Sequence, residues 1–172
     1  MQLRELEKFK YWPFQFFYKI PLNILKEEKE QIKFFLHNFE NSTDINQTTT
    51  YKKINVLNLP LLKNLRDQVI KIIEPLNLIL DNNWAQLYKK GDSHVPHAHY
   101  GSEYSGVIYI DGETTEGTNF ISPINAQIST ANFNTNDLIL FPSNILHYVN
   151  IQGDNTNRII ISFNTKLGGN NG

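Results

Sequence analysis

The sequence predicts a mainly β fold with helices near its start (α+β), a β-sandwich or jelly roll buttressed on one face by the helices. Two amphipathic helical patterns occupy the first half of the chain, and short β-like segments follow one another from residue 83 onward. Turn residues separate these segments at intervals of roughly 8 to 12 residues, which is typical of all-β sandwiches and barrels. Helices that precede such a run of strands favour an arrangement in which they cover one face of the β-structure.

We interpret the 172 residues as a single domain. A chain near this length buries roughly two-thirds of the surface that it exposes when unfolded, which allows a full core. The sequence contains no internal repeat and no break in composition that would separate a second unit. We expect residues 1–82 to supply a strand and the supporting helices, residues 83–166 to form the β core, and residues 167–172 to form a flexible tail.

Composition argues against several kinds of partner. The formal net charge is -1, so no basic excess is available to neutralise a nucleic-acid backbone. The chain has no cysteine, which excludes disulfides and thiolate metal sites and leaves His, Asp and Glu as the strong ligands. The charged start lacks the apolar core of a secretory signal, and no apolar run of about 18 residues occurs. We expect a soluble cytoplasmic protein, in its own cell or in an infected host cell, with no nucleic-acid or membrane partner.

The first predicted elements are a strand and a helix. Aromatic residues favour a strand over residues 14–20, and the same aromatic region, residues 11–18, is a candidate contact for a homodimer. A helix is predicted over residues 22–39 because apolar residues recur at helical spacing, at Leu25, Ile32, Phe35, Leu36 and Phe39. The charged run 26–30 is interpreted as its solvated face. The threonine-rich stretch 41–51 is predicted to be a loop or a weak edge strand.

A second helix is predicted over residues 60–74. Its apolar stripe consists of Leu62, Leu65, Val69, Ile72 and Ile73. Pro60 is tolerated in the first turn, and Pro75 is expected to stop the helix. The predicted strands then follow at residues 84–88, the histidine-containing segment around residue 97, and residues 105–110, 118–121, 127–130, 137–141, 148–151 and 158–164.

Two histidines on one predicted extended segment point to a metal site. His97 and His99 are separated by one residue, so on an extended chain their side chains lie on the same face. Neutral imidazole is the commonest protein ligand for iron, copper, nickel and zinc, and such a pair can occupy adjacent coordination positions. The pair needs a third ligand from another part of the chain.

The other histidines supply the candidates for that third ligand. His147 follows an apolar strand and a Pro-Ser-Asn turn, and beside the pair it becomes the natural third ligand. His37 lies near the end of the first helix, where a cation interacts favourably with the helix dipole, and is interpreted as a surface residue. His94 is an alternative to one of the pair, although Pro96 between His94 and His97 argues against a shared strand face.

Arg158 is the candidate anion-binding residue. It opens the strand 158–164 and shares one face of that strand with Ser162. A buried guanidinium without a partner is costly, and its planar fork fits a carboxylate bidentately. The partner is either Asp154 at the surface or an acid that also binds the metal, and the histidines favour the second. Tyr88 is a candidate to meet the other end of such an acid, or else a core residue.

Several separated motifs, taken in order, resemble those of a known family. They are Trp84, Gly91, His97-Ala98-His99, Ser105-Gly106-Val107-Ile108-Tyr109, Leu138-Ile139-Leu140-Phe141-Pro142-Ser143, His147 and Arg158-Ile159-Ile160-Ile161-Ser162-Phe163-Asn164. Together they resemble the iron(II)- and 2-oxoglutarate-dependent oxygenases of bacteria and tailed phages that carry SGVYY and LFPS…H signatures and are related to prolyl hydroxylases. The resemblance spans residues 84–164 and supplies no motif in the N-terminal helices.

The resemblance implies a double-stranded β-helix, a cupin-like jelly roll, with iron(II) at one mouth. It implies that His97, His99 and His147 hold the metal, and that 2-oxoglutarate chelates the metal and pairs its far carboxylate with Arg158. Ser162 is then a helper of Arg158, since both lie on one strand face. The implied activity is a dioxygenase that uses molecular oxygen to hydroxylate a C–H bond of an unidentified substrate, by kinship a prolyl or other protein side chain.

His99 stands where the wider superfamily carries a carboxylate, in the pattern HxD or HxE. Three neutral imidazoles would leave the site about one unit more positive than the usual two histidines and a carboxylate. Either His99 binds the metal in a three-histidine site, as the HxH pattern of this subgroup suggests, or a water takes that position and His99 turns away.

Two other functions fit the same residues. A cupin-like three-histidine dioxygenase would bind its organic substrate directly to iron, and Arg158 would then hold a substrate carboxylate. A non-enzymatic β-sandwich, serving as a binding or virion-associated module, would carry the histidines as structural or vestigial residues. For an enzyme, the loop 111–119 and the N-terminal aromatic residues are candidates for substrate contact.

Overall fold

The structure is a computed structural model and describes residues 17–39, 48–112, 117–153 and 157–169. The described chain folds as a double-stranded β-helix with two helices, in which the strand pairs are antiparallel. The predicted fold class is therefore confirmed. Neither described helix is long and apolar enough to cross a membrane.

The elements follow one another in the predicted order. The helices are α1 (Lys26–Asn38) and α2 (Lys63–Ile73). The strands are β1 (Tyr18–Pro21), β2 (Thr48–Thr49), β3 (Leu78–Tyr88), β4 (His94–His97), β5 (Tyr104–Asp111), β6 (Asn119–Ile121), β7 (Ile128–Thr130), β8 (Asp137–Pro142), β9 (His147–Val149) and β10 (Arg158–Leu167). Every strand predicted from residue 84 onward is present, and β3 begins earlier than predicted because it continues to pair with the far end of β10.

Two sheets enclose the part of the core that surrounds the site. The larger sheet has the strand order β1-β8-β5-β10-β3-β2, and the smaller has the order β4-β9-β6-β7. The residues that pack between them are largely aromatic and branched, and include Val107, Tyr109, Phe120, Phe141, Val149 and Ile160. β4 is an edge strand of the smaller sheet and contributes no residue to this core.

Alternation along β10 separates the site from the helix-covered core. Ile159, Ile161 and Phe163 belong to the core cluster that contains the buried residues of both helices. Ile160 and Ser162 face the opposite way and line a cavity between the sheets. The face predicted for Ser162 is therefore confirmed, because the period-two alternation of a strand holds along this segment.

The helices differ from their predicted limits at both ends. Residues 22–25 are not helical, Leu25 has an extended backbone and Leu22 is buried in the core, so α1 begins only at Lys26. The second helix starts as a 3₁₀ turn, Pro60–Leu62, before α2. Pro75 does not stop the helical path at once, since it lies in the first turn of a further 3₁₀ segment, Glu74–Leu76. Proline is tolerated there because the first turn needs no N–H donor from it.

The charged run at the start of α1 is only partly a solvated face, because Glu28 is buried. Its carboxylate accepts hydrogen bonds from the backbone N–H of Leu25 at 3.0 Å, the backbone N–H of Leu65 at 2.9 Å and the side-chain amide of Asn64 at 2.9 Å. These donors belong to the first turns of both helices. One carboxylate therefore caps α1 and α2 together, which a reading of helical periodicity does not reveal.

The first two strands and the last strand of the described chain belong to the larger sheet. β1 pairs with β8 and carries the described part of the strand predicted over residues 14–20; residues 14–16 lie outside the described residues. β2 pairs with β3 as an edge strand, as predicted for part of residues 41–51, of which residues 41–47 are not described. β10 runs to Leu167, and the N–H of Gly168 donates to the Asn77 carbonyl at 2.7 Å.

The aromatic region proposed as a dimer contact is described only at its end. Phe17 is buried between the sheets and Tyr18 packs against the helix-covered core. Residues 11–16 lie outside the described residues. The two described aromatic residues are therefore used within the chain itself.

Candidate active site

The pairing of β4 with β9 brings two predicted metal ligands together. His97 and His147 are directly opposite each other in this antiparallel pair, and their ring centroids lie 4.2 Å apart. The His147 ring is buried and also packs edge-on against Phe141, at 4.9 Å between centroids. Strand register thus places side chains fifty residues apart in sequence at one point of the site.

His99 joins this pair from outside the strand. β4 ends at His97, and the chain turns so that the N–H of His99 donates to the Ser143 carbonyl at 2.8 Å. The His99 ring centroid lies 5.1 Å from that of His97 and 5.1 Å from that of His147. His97 and His99 converge, although His99 lies two residues beyond the end of the strand that carries His97.

The three imidazoles form a cluster whose geometry suits a metal ion. One nitrogen from each of His97, His99 and His147 lies within 4.8 Å of the other two. Nδ1 of His97 donates to the Val95 carbonyl at 2.9 Å, and Nδ1 of His147 donates to the Ile145 carbonyl at 2.9 Å. A carbonyl only accepts, so Nδ1 carries the proton in these rings and Nε2 keeps its lone pair.

A buried polar network fixes the orientation of His99. Nδ1 of His99 donates to Oδ1 of Asn164 at 2.6 Å, and the Ser105 hydroxyl donates to the same oxygen at 2.7 Å. The Ser105 and Ser143 hydroxyls lie 2.9 Å apart. Sequence reasoning missed these three residues as parts of the site. The available signal was their presence in the quoted motifs, where Ser105 begins SGV, Ser143 ends LFPS and Asn164 ends the β10 motif.

The site keeps the histidines neutral. Burial, followed by the proximity of His97, lowers the pKa of His147 to about 3. Burial also lowers the pKa of His97 and of His99, although a backbone carbonyl and Asn164 respectively oppose the shift. Neutral imidazole is the form that binds metals, so these rings are in the ligating state at neutral pH.

His94 lies beside the cluster without belonging to it. Its ring stacks on the His97 ring at 4.1 Å between centroids and 17° between planes, and its Nδ1 lies 3.3 Å from the Tyr88 hydroxyl. Pro96 argues against a shared strand face for His94 and His97; their rings nevertheless stack, because the pairing of β4 with β9 is irregular between these two residues. Burial, followed by the proximity of His97 and His99, lowers the pKa of His94 to about 4.

Arg158 is fully buried and only partly satisfied. One terminal nitrogen donates to the Thr118 hydroxyl at 3.0 Å, while Nε and the other terminal nitrogen have no hydrogen-bond partner among the described residues. The guanidinium carbon lies 5.2 Å from the Tyr88 ring centroid and 5.5 Å from that of Tyr109. No described carboxylate forms an ion pair with Arg158, and Asp154 lies outside the described residues.

The other predicted acid-binding residues surround the same space. The ring of Tyr88 is buried against Arg158, and burial raises the pKa of its hydroxyl, which therefore stays protonated. Ser162 does not contact Arg158 within the described chain; its hydroxyl donates to Oε1 of Gln86 at 3.5 Å. Sequence reasoning missed Thr118, which holds the guanidinium and lies 2.9 Å from the Tyr109 hydroxyl.

Two neighbouring spaces that share lining residues adjoin the histidines. The outer cleft has a volume of about 760 Å³ and is lined by His94, His97 and His99 together with residues such as Tyr51, Asp81, Asn82 and Tyr100. The inner cavity has a volume of about 30 Å³ and is lined by residues such as Tyr88, Thr118 and Ser162. Trp84, Gln86, His94, His97 and His99 line both spaces. Of the loop proposed for substrate contact, residues 113–116 lie outside the described residues.

Several solved structures share this architecture. HygX from Streptomyces hygroscopicus, crystallised with nickel, 2-oxoglutarate and hygromycin B, superimposes with a TM-score of 0.66 at 10% identity, over 87% of this chain and 82% of HygX. An oxidoreductase of the 2OG-Fe(II) oxygenase family from Burkholderia pseudomallei gives a TM-score of 0.63 at 10% identity, covering 90% and 86%. The chain shares their fold.

A Pseudomonas putida prolyl-4-hydroxylase shares the fold as well. Its TM-score is 0.63 at 12% identity, over 91% of this chain and 95% of the hydroxylase. No protein-family model matches the sequence, and no curated protein matches it. The similarity is therefore one of three-dimensional structure, and it shows the fold alone.

Proposed function

We propose that the chain is an iron(II)- and 2-oxoglutarate-dependent oxygenase that hydroxylates a C–H bond of its substrate. The observation that carries this proposal is the fully buried guanidinium of Arg158, two of whose nitrogens lack a hydrogen-bond partner among the described residues. Its neighbours Tyr88 and Thr118 line a cavity that the three convergent histidines line as well. Buried cations are normally paired, so an unpaired one in this position indicates an anionic ligand.

The histidine cluster fits a divalent transition metal. His97, His99 and His147 are neutral, and at least two of them present Nε2 because Nδ1 donates to a backbone carbonyl. Three nitrogen ligands on one side leave coordination positions open for other molecules. We propose that all three bind iron(II), since the Asn164 hydrogen bond holds His99 toward the cluster instead of letting it turn away.

The surroundings of Arg158 fit the distal carboxylate of a dicarboxylic acid. The guanidinium can donate from two nitrogens in the fork geometry that carboxylates prefer. The protonated Tyr88 hydroxyl is a second donor on the same side, and Ser162 adds a third hydroxyl to the cavity wall. HygX was crystallised with 2-oxoglutarate, and we propose the same cosubstrate here.

The protein supplies binding, orientation and exclusion of water. When bound, iron and 2-oxoglutarate would supply the activation of molecular oxygen for oxidation of a C–H bond. Arg158 and Tyr88 would hold the acid in the inner cavity, and the histidines would hold the metal between that cavity and the outer cleft. The substrate would enter through the outer cleft. Asp81 is the one carboxylate among the described residues that line this cleft, and it forms an ion pair with Lys166. A prolyl or other protein side chain is a candidate substrate.

A second candidate is a three-histidine dioxygenase that does not use 2-oxoglutarate. The absence of a carboxylate from the described histidine cluster and the small inner cavity favour it. In that reaction no succinate would form as oxygen is consumed, and Arg158 would bind a carboxylate of the organic substrate. Metal analysis of protein prepared without chelator separates both enzymes from a non-enzymatic module, which would contain no stoichiometric metal.

Ligand-dependent unfolding tests the proposal directly. Iron(II) under anaerobic conditions should raise the melting temperature, and 2-oxoglutarate should raise it further; an excess of about 100 Kd corresponds to about 2.7 kcal/mol. Arg158→Ala should keep the metal shift and lose the 2-oxoglutarate shift, whereas His147→Ala should lose both. His37→Ala, an exposed change in the last turn of α1, is the control. An undiminished 2-oxoglutarate shift in Arg158→Ala would refute the cosubstrate assignment.

A further inference from the structure

The inner cavity is too small for the acid that Arg158 is suited to bind. Its volume of about 30 Å³ is room for only about two or three water molecules. A five-carbon dicarboxylic acid is several times larger. A side chain between the histidines and Arg158 must therefore move before the acid can bind.

His94 is the side chain best placed to move. Of the residues that line both the inner cavity and the outer cleft, Trp84 and Gln86 lie within β3, between β10 and β2, and His97 and His99 belong to the metal cluster. His94 instead begins the edge strand β4, where the pairing with β9 is irregular. Its ring can leave the inner cavity by turning toward the outer cleft that it already borders.

The contacts of His94 also place it on the path of the acid. Its ring stacks on the proposed ligand His97 on one side, and its Nδ1 lies 3.3 Å from the Tyr88 hydroxyl on the other. The Tyr88 ring in turn lies against Arg158. An acid that extends from the histidine cluster toward Arg158 would lie beside His94 and Tyr88, and the Tyr88 hydroxyl cannot serve the acid fully while it is engaged with His94.

We propose that the His94 side chain is a movable wall of the inner cavity. Without the acid, its contact with the Tyr88 hydroxyl keeps the cavity small. As the acid enters, the His94 ring turns into the outer cleft and leaves the Tyr88 hydroxyl free to bind the acid. This inference rests on the proposed function. His94 is thus a positioning residue. Since the displaced ring occupies part of the outer cleft, a substrate bound there packs against the His94 ring.

Binding kinetics test the inference without turnover. We would load the protein with nickel(II) and follow 2-oxoglutarate binding by calorimetry and stopped-flow tryptophan fluorescence, since Trp84 lines both spaces. In the wild type, the observed rate should level off at high 2-oxoglutarate concentration, because opening of the His94 wall becomes limiting. A rate that rises linearly over the whole range would overturn the proposal. This measurement needs no variant and so does not depend on how a substitution affects folding.

The His94→Ala variant gives the second test. Its rate should rise linearly with 2-oxoglutarate, and its Kd should fall about three- to tenfold, the factor expected when one competing hydrogen bond no longer has to break. His37→Ala should behave as the wild type. An unchanged or higher Kd in His94→Ala, with binding still abolished by Arg158→Ala, would refute the movable wall and leave the proposed function standing. Failure of both wild type and His94→Ala to bind 2-oxoglutarate would refute both.

Discussion

Nδ1 of His99 donates a hydrogen bond to Oδ1 of Asn164 at 2.6 Å, across 65 residues of sequence. Nδ2 of Asn164 donates to Oδ1 of Asn82 at 2.9 Å, which fixes the orientation of the amide. An imidazole offers a lone pair from Nε2 only when Nδ1 holds the proton, so this contact prepares His99 to act as a ligand. The same contact would suit a histidine ligand at the position where the oxygenases that the sequence resembles carry a carboxylate.

Asn164→Ala should weaken metal binding. Loss of the residue that orients a ligating histidine lowers metal affinity by about 10- to 100-fold in characterised sites. Competition between the protein and a chromogenic chelator measures the affinity for zinc(II) or cobalt(II). Asn164→Asp keeps an oxygen acceptor for Nδ1 and should retain most of the affinity, and Asn38→Ala, on the exposed end of α1, should change nothing. Equal affinity in Asn164→Ala and wild type would show that His99 does not bind the metal.

The buried Arg158 side chain should lower the free energy of unfolding when no ligand is bound. Replacement of a buried ion pair by apolar side chains of similar volume is neutral or stabilising by about 1–4 kcal/mol, and an incompletely paired buried charge has still less attraction to lose. We therefore expect Arg158→Met to unfold at higher urea concentration than the wild type when no acid is present. Addition of 2-oxoglutarate and metal should reverse this order, since Arg158→Met cannot hold the acid. A less stable ligand-free Arg158→Met would contradict the view that the guanidinium awaits an anion.

The sequence predicted well those features that depend on local periodicity. The face of β10 that carries Ser162 follows from alternation alone, and the helices follow from their apolar stripes. The site depends on long-range register, which no local pattern encodes: His97 meets His147 only because β4 and β9 pair as they do. The Thr118 contact with Arg158 likewise joins residues forty positions apart. His97, His147 and Arg158 were brought together in advance by their residue types, since imidazoles and an acid-binding guanidinium suit one metal site, and by the family resemblance.

Glu28 should contribute more to stability than its position in a charged run suggests. It accepts three hydrogen bonds, from Leu25, Asn64 and Leu65, and it is buried. Glu28→Ala leaves these donors without partners, at about 1–3 kcal/mol for each one that remains buried. Chemical denaturation should show a loss of at least about 2 kcal/mol. Glu27→Ala, the exposed neighbour on α1, should change stability by less than about 0.5 kcal/mol. Equal losses in the two variants would refute the double cap.

Gly106 should not tolerate a side chain. A Cβ placed there would lie 2.2 Å from the nearest ring atom of Phe163, which is itself fully buried. Gly106→Ala therefore forces a shift of β5 against β10, and overpacking of this kind costs about 1–3 kcal/mol. Gly153→Ala is the matched control, because a Cβ at residue 153 would meet nothing within 4 Å. The thermal unfolding midpoint should fall for Gly106→Ala and stay near the wild-type value for Gly153→Ala.

The buried histidines should make the metal-free protein less stable as the pH falls below neutrality. Burial and His97 lower the pKa of His147 to about 3 in the folded state, whereas an unfolded histidine has a pKa of about 6.5. Between these values the unfolded chain binds a proton that the folded chain does not bind, so the free energy of unfolding decreases by up to about 1.4 kcal/mol per pH unit for this residue. Urea unfolding between pH 7 and pH 5, with chelator present, measures the slope while most carboxyl groups remain ionised. His147→Asn cannot titrate in this range and should show a shallower slope; an unchanged slope would mean that His147 is protonated in the folded chain.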